Sequence, residues 1–239
     1  MDNHFQQKLL SSLIKIKGEA NITVTGISMN PTLCEGDVIT IRKYDDYEIG
    51  RILVFTYKNG ELLVHRLLKK DDRYYCKGDN AFRLEDIEYH QILGQVVTAN
   101  GNTVVSWPKW KADLSYQINR EFYRCRYDVE KTKESNIYKF YEDLILKREG
   151  ITMNYKKNDT MDYIKSDDTS LAVFDPESGD THFFDETGID ILSCLEPPCD
   201  LKTLLERLCK IYDVRPNDIR GDVEEFLAET MAKKVVLIV

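Results

Sequence analysis

The chain has 239 residues, a hydrophobic fraction of 42%, a charged fraction of 31% and a formal net charge of −8. This length accommodates one large or two modest domains, and the composition is sufficient for ordinary apolar cores under a soluble surface. The negative charge argues against general nucleic-acid binding. The longest uninterrupted apolar run, residues 235–239, is far too short to cross a bilayer.

Charge is unevenly distributed along the chain. Residues 109–148 contain ten Lys or Arg against seven Asp or Glu, whereas residues 166–239 contain seven against seventeen. This asymmetry suggests two bodies with different partners, although a solvated acidic face is the commoner cause of such a pattern.

The six cysteines show neither a CxxC pair nor the spacing of a metal finger. The first residues, MDNHF, lack the basic segment and apolar run of a secretory signal. These features predict a cytoplasmic protein with reduced thiols and no bound metal.

The first half of the chain has the pattern of a short helix followed by many strands. Apolar residues at helical spacing predict an amphipathic helix over residues 5–16. From residue 21 to about 105 the pattern changes to short strands, separated by turn sequences such as Lys58-Asn59-Gly60 and Asn100-Gly101-Asn102. The predicted strands lie at residues 22–24, 38–41, 52–55 and 62–64. This region therefore reads as an all-β body.

A helical pattern begins after Trp107-Pro108. Apolar residues recur every four positions over 110–122, and the pattern resumes over 138–145, which predicts one long helix or a helical hairpin. Its aromatic, mildly basic character is compatible with peripheral contact to a membrane surface. Three interrupting acids, Glu121, Glu130 and Asp143, favour packing on a neighbouring domain instead. A polar linker over residues 150–165 follows.

The last third combines strands with short helices. Residues 171–174 and 181–184 flank the turn sequence DPESGD and predict a hairpin. A helix capped by Glu186 or Thr187 ends at Pro197-Pro198, and two more apolar-periodic segments follow at 201–208 and 223–231. Strands followed by three short helices describe a winged-helix-like module.

A serine stands at position 28 in the run GISMNPTL, residues 26–33. Pro31 fixes its own φ and disfavours helix at Asn30, so Ser28 is presented on a rigid, non-helical segment. The run resembles the serine box of the signal peptidase I clan. Four further segments repeat the clan's motif order: EGDVI at 35–39, GRILVF at 50–55, VHR at 64–66 and KGDN at 77–80, before a closing ILGQV at 92–96.

This resemblance implies a signal-peptidase/LexA-like (S24/S26) catalytic domain with Ser28 as nucleophile. The position of the usual basic lysine corresponds here to His65, as in the archaeal and endoplasmic-reticulum branch. An unperturbed histidine is well suited to act as a base near neutral pH, and a carboxylate that orients it improves that role. The resemblance points to Asp79 for this carboxylate, with Asp86, beside Glu85, as the second candidate.

Other positions carry weaker signals. Many bacterial relatives have a second serine where this chain has Gly26, so the oxyanion hole would depend on the backbone N–H of Ser28. Asp37 reads as a turn residue, and His4, His90 and His182 read as surface residues. Hydrolysis by this set requires no cofactor. Signal peptidases are normally membrane-anchored, and no anchor segment is evident here.

The C-terminal segment, residues 163–239, resembles the PqqD-like domain that recognises leader peptides in ribosomal-peptide modification systems. The similarity lies in FFDETGI at 183–189, LKTLL at 201–205, YDV at 212–214 and VEEFL at 223–227, and it departs at Lys233-Lys234. Taken together, the chain is predicted as an α+β protein: a peptidase domain over 1–106, a helical connector and linker over 107–162, and a PqqD-type domain over 163–239.

The resemblances jointly imply a soluble serine endopeptidase that binds and cleaves the leader of a ribosomally synthesised, post-translationally modified precursor peptide. Its partners would be the precursor and a modifying enzyme, with no nucleic acid. A non-catalytic adaptor that positions a peptide for a separate modifying enzyme is the alternative. A self-cleaving regulator is disfavoured, because His65 replaces lysine and no N-terminal helix-turn-helix is evident.

Overall fold

A computed structural model describes residues 3–146, 153–167 and 169–239. The described chain separates into two compact units, one made of residues 3–133 with 144–146 and one made of residues 134–143 with those from 153 onward. No described helix has both the length and the apolar content needed to span a bilayer.

The first unit is an antiparallel sheet with helices. Its helices are α1 (Asn3–Lys17), α2 (Lys109–Arg124) and α3 (Val129–Lys133). Its strands are β1 (Glu19–Thr23), β2 (Val38–Arg42), β3 (Ile52–Thr56), β4 (Leu62–Lys70), β5 (Tyr74–Lys77), β6 (Glu85–Ile87), β7 (Ile92–Ala99) and β8 (Asn102–Thr103). The strand order is β1-β2-β7-β3-β4-β5-β6, with β8 paired to β7. The predicted strands and the helix near residue 5 are confirmed.

Strand β3 is buried along its whole length and lies between two apolar clusters. Because side chains alternate across a strand, Ile52 and Val54 join the cluster that includes Met29 and Leu33, while Leu53 and Phe55 join the opposite one. A short turn at Lys58–Gly60 connects β3 to β4, as the sequence predicts. These two central strands carry the candidate site.

The residues predicted as a helical connector and linker, 107–162, are divided between the two units. Helix α2 packs on β4. It is followed by a break at Cys125–Asp128, where Arg126 and Tyr127 adopt positive φ angles, and then by α3. The pattern over 138–145 corresponds to α4 (Asn136–Tyr141) and a wider helical turn at Glu142–Leu146. The first linker positions, 150–152, lie outside the described residues.

In its described residues, the second unit contains α4, a three-stranded antiparallel sheet, a separate strand pair and three further helices. The sheet has the order β10 (Asp162–Asp167), β11 (Ser170–Phe174), β12 (Thr181–Phe184). The helices are α5 (Glu186–Cys194), α6 (Leu201–Tyr212) and α7 (Pro216–Ala232). The remaining strands, β9 (Tyr155–Lys157) and β13 (Val236–Ile238), pair with each other.

The architecture confirms the α+β class and the predicted hairpin around residues 175–180. One local assignment is corrected: the cap of α5 is Asp185, whose carboxylate accepts a hydrogen bond from Gly188 N at 2.9 Å, rather than Glu186 or Thr187. The acceptor of an N-cap must precede the first helical residue, and Glu186 already lies within the helix.

Candidate active site

Ser28 lies in the long connection between β1 and β2. The connection is fixed to the core by Met29 and Leu33, which are 2% and 0% exposed, and by the backbone bond from Leu33 N to Met29 O at 3.0 Å. Asn30 N also donates to Ile27 O at 3.2 Å and closes a turn around the serine. Ser28 is therefore held on an irregular but well-anchored segment, as the Pro31 argument predicts.

His65 lies in the middle of β4, opposite Leu53 of β3, and is only 5% exposed. Its Nε2 atom is 3.0 Å from Ser28 Oγ. Its Nδ1 atom is 2.7 Å from Oε2 of Glu85, the first residue of β6. An ionised carboxylate only accepts hydrogen bonds, so Nδ1 carries the proton and Nε2 is free to accept from the serine hydroxyl. The three side chains form a continuous hydrogen-bonded chain.

Asp79, the carboxylate that the resemblance pointed to, is engaged elsewhere. It is fully buried and forms a two-pronged ion pair with Arg66, with Nε to Oδ1 at 2.9 Å and the Arg66 terminal nitrogen to Oδ2 at 2.7 Å. Thr32 Oγ1 also donates to Oδ2 at 2.6 Å. Asp79 thus connects the serine-bearing segment to β4 rather than orienting His65.

The second candidate, Asp86, points to solvent. It forms an ion pair with Arg73 at 3.0 Å, and both side chains are substantially exposed. Alternation along β6 accounts for this placement: Glu85 and the buried Ile87 share the inward face, and Asp86 lies on the other. The carboxylate that contacts His65 is therefore Glu85, the neighbour of the predicted residue. In the sequence, the signal that Glu85 faces inward is the apolar Ile87, two positions later on the same face of the strand.

Arg66 follows His65 along β4 and takes the opposite face. Besides Asp79, its guanidinium donates to Gly50 O at 2.8 Å and stacks on the Trp107 ring at 3.7 Å. Gly50 has a φ of +91°, and a Cβ there would lie 2.1 Å from Trp107 O, so only glycine fits. These contacts of Arg66 fix β4 on the face opposite His65.

The geometry around Ser28 also bears on how a developing oxyanion would be held. Within the described part of the chain, no hydrogen bond engages the Ser28 N–H. Gly26 adopts a φ of +85°, a conformation in which a serine would be strained. Because residue 26 is glycine, it supplies no hydroxyl donor, and the Ser28 backbone N–H is the candidate donor for an oxyanion.

The turn between β5 and β6 closes over the Ser28–His65 pair. Asn80 N donates to Ser28 O at 2.7 Å, and a Cβ at Gly78 would lie 3.0 Å from His65 Nε2. The turn is also held from α2, because the buried Asn119 donates to Phe82 O at 2.8 Å. Sequence reasoning did not identify Asn119, and a lone asparagine on an amphipathic helix carries no distinctive signal.

Other candidate residues lie outside this site. Asp37 accepts from Cys34 N at 2.7 Å and from Asn100 Nδ2 at 2.7 Å, which is a turn-stabilising role. His90 is largely exposed beside Glu88. All six cysteines are free thiols. Among the described residues, no group of three or more His, Cys, Asp or Glu side chains is arranged to hold a metal ion.

Comparison with known families matches two parts of the chain. Residues 6–97 match the family model of Peptidase S24-like proteins, and residues 170–236 match that of Coenzyme PQQ synthesis protein D (PqqD). No curated protein matches the chain. The chain thus combines an S24-like peptidase region, which contains Ser28, His65 and Glu85, with a PqqD region in the acidic C-terminal part.

Proposed function

We propose that this protein is a serine endopeptidase that binds and cleaves the leader of a ribosomally made precursor peptide. The single observation that carries the proposal is the hydrogen-bonded chain from Ser28 Oγ through His65 to Glu85. A serine needs an adjacent base to attack a peptide carbonyl near neutral pH, and that base needs a group that fixes its tautomer. The S24-like match supports the same reaction class.

In the proposed mechanism, Ser28 Oγ attacks the scissile carbonyl carbon while His65 Nε2 takes the hydroxyl proton. Glu85 stabilises the resulting imidazolium through the bond to Nδ1. The Ser28 N–H donates to the oxygen that becomes negatively charged. The imidazolium then gives its proton to the departing amine, and the C–N bond breaks to leave an acyl-enzyme. A water molecule, deprotonated by His65, hydrolyses the ester and restores Ser28.

Leader capture is assigned to the PqqD region, and the free edge of β12 supports this role. In the described part of the chain, β12 pairs only with β11. Asp175 N donates to Asp180 O at 2.9 Å, so these two residues form a hydrogen-bonded pair of the antiparallel ladder. Such pairs occur at every second position, which places the next ones at Val173–His182 and Leu171–Phe184. The N–H and C=O groups of Thr181 and Phe183 then face away from β11. An extended peptide can add to such an edge as a further strand.

Joining leader binding and cleavage in one chain would make the peptidase selective for its own precursor. A peptidase that recognises an extended backbone and a few small side chains discriminates weakly, whereas a tethered leader raises the local concentration of one cleavage site to about the millimolar range for a short flexible tether. A precursor peptide and a modifying enzyme are the proposed partners, and the cytoplasm is the proposed location.

The test is mass spectrometry of candidate small peptides encoded near the gene, each co-expressed with wild type or with Ser28→Ala. A single defined cleavage with wild type, and none with Ser28→Ala, is expected. Ser193→Ala, which removes an exposed hydroxyl in the PqqD region, is the matched control and should cleave like wild type. Binding of the peptide to Ser28→Ala should persist.

A non-catalytic adaptor is the second candidate. The observation that favours it is Gly26, because the oxyanion hole then lacks a hydroxyl donor. An intact peptide that co-purifies with both wild type and Ser28→Ala would identify the adaptor. Shortening of the chain itself, abolished by Ser28→Ala, would instead identify a self-cleaving protein.

A further inference from the structure

Lys77, the last residue of β5, is fully buried although it carries an ionisable amine. Its Nζ donates to Gly78 O at 2.9 Å and to Ala81 O at 2.7 Å. Ala81 N also donates to Gly78 O at 3.0 Å, so the same carbonyl closes the turn from the backbone. The amine therefore joins both ends of the Gly78–Ala81 turn from inside the protein.

This turn lies directly against the proposed catalytic pair. Asn80 N donates to Ser28 O, and the Cα of Gly78 approaches so closely that a Cβ would lie 2.5 Å from Ser28 O and 3.0 Å from His65 Nε2. A small displacement of the turn would consequently move the Ser28 backbone or open the gap beside His65. The position of the turn and the geometry of the pair are coupled.

We propose that Lys77 is a positioning residue, which holds the Gly78–Ala81 turn against Ser28 and His65 through its two carbonyl contacts. The inference deepens the proposed peptidase function and rests on it. Lys77 touches neither the reacting atoms nor a substrate in this assignment. It acts on the reaction through the turn.

A lysine at position 77 is electrostatically costly, because its amine is buried away from water. Burial, with a smaller contribution from Arg66, lowers the Lys77 pKa to about 7, although the carboxylates of Asp79 and Glu85 oppose the shift. An apolar side chain of the same length would avoid this desolvation. A neutral amine still has two N–H groups for two carbonyls, so the contacts persist in both protonation states.

The experiment uses a fluorophosphonate probe, which reacts with an activated serine and requires no knowledge of the natural peptide. We expect wild type to be labelled at Ser28. Lys77→Met keeps the chain length and removes the donors. Its maximal labelling rate should fall roughly 10–100-fold, with the half-saturating probe concentration within about twofold of wild type. Lys69→Met, which removes an exposed lysine from the neighbouring strand, should label like wild type.

The outcomes distinguish the role of Lys77 from the proposed peptidase function on which it rests. Unlabelled wild type would overturn both. Labelled wild type with an unchanged rate in Lys77→Met would overturn the role of Lys77 alone. A parallel loss of labelling and of thermal stability would assign Lys77 a general structural role and also overturn the inference. If Lys77→Met does not fold, Lys77→Gln, whose shorter side chain cannot reach both carbonyls, provides the same comparison.

Discussion

At the residue scale, Glu85, Asp79 and Lys77 each have a different task near the candidate site. Glu85 contacts His65, Asp79 neutralises Arg66, and Lys77 closes the adjacent turn. Their placement follows from strand alternation, because His65 and Arg66 are consecutive in β4 and therefore face opposite sides. A substitution at each position should consequently change a different observable.

Glu85→Gln should reduce cleavage while leaving the fold intact. A glutamine amide can donate to Nδ1, which favours the tautomer with its proton on Nε2 and removes the acceptor for the serine hydroxyl. Loss of the orienting carboxylate costs roughly 10⁴-fold in the rate of comparable hydrolases. The maximal rate of fluorophosphonate labelling measures the effect. Asp86→Asn is the matched control, and equal losses in the two variants would contradict the assignment of Glu85.

Asp79→Ala should instead act on stability. It leaves the Arg66 guanidinium buried without its carboxylate, and breaking a buried pair in this way costs about 3–5 kcal/mol. The free energy of unfolding of the peptidase region, measured in urea, should fall by that amount. Asp86→Ala removes an exposed pair and should cost less than about 1 kcal/mol. A stable but inactive Asp79→Ala protein would return Asp79 to the role of orienting acid.

Lys77 should make stability depend on pH. Below about pH 7 the amine is protonated in both the folded and unfolded chain, and the full cost of burying the charge is present. Between about pH 7 and its ordinary pKa of 10.5, the folded protein releases the proton while the unfolded chain keeps it, so this contribution to stability rises with pH.

Lys77→Met removes that contribution. Its unfolding free energy relative to wild type should therefore be most favourable at pH 7 and should decline towards pH 10, by at most about 1.4 kcal/mol per pH unit. Urea unfolding at pH 7, 8.5 and 10 measures the trend. Lys69→Met should show no such decline, because contact with Asp71 raises the Lys69 pKa. If the difference in unfolding free energy between Lys77→Met and wild type stayed constant across this pH range, it would contradict the lowered pKa of Lys77.

At the element scale, α2 belongs to the first unit and holds the β5–β6 turn. Phe82 packs against Phe122 of α2, with the ring centroids 5.2 Å apart and the rings inclined at 33°, and Asn119 donates a hydrogen bond to the Phe82 carbonyl. Helix α2 thus reaches Ser28 through the same turn that Lys77 closes. Residues outside the matched segment 6–97 therefore contribute to the geometry of the site.

Asn119→Leu should weaken both stability and labelling. The variant leaves the Phe82 carbonyl without its side-chain donor, which costs about 1–3 kcal/mol for a buried group. Thermal unfolding and the labelling rate measure the two effects. Arg120→Ala, one position along on the exposed face of α2, should change neither. Unchanged labelling in a destabilised Asn119→Leu protein would show that α2 does not position the turn.

The extent of sequence-based prediction also differs by element. Strands β2, β3 and β4 were predictable because their apolar patterns are local and the turn between β3 and β4 carries an Asn-Gly signal. Glu85 was missed because β6 has three residues and its facing depends on the register with β5. Strand β13 was missed because its partner, β9, lies about 80 residues earlier in the chain. An apolar run alone does not indicate with which distant segment it pairs.

At the scale of the whole molecule, the proposed function divides leader binding and cleavage between the two matched regions. Binding should then be separable from catalysis by a change at the free edge of β12. Phe183 is the suitable position: its side chain is 81% exposed and its N–H faces away from β11. A proline there removes a donor that an added strand would use, without a bond to β11 being lost.

Phe183→Pro should therefore raise the KM for the full precursor roughly 10–100-fold and leave kcat nearly unchanged, because only the tethering of the leader is weakened. Fluorophosphonate labelling of Ser28 should equal that of wild type, since this probe makes no use of the PqqD region. Phe183→Ala keeps the N–H and separates the contribution of the ring from that of the backbone. A fall in kcat at constant KM would mean that the C-terminal region acts on the chemical step, and the proposed division of labour would then be wrong.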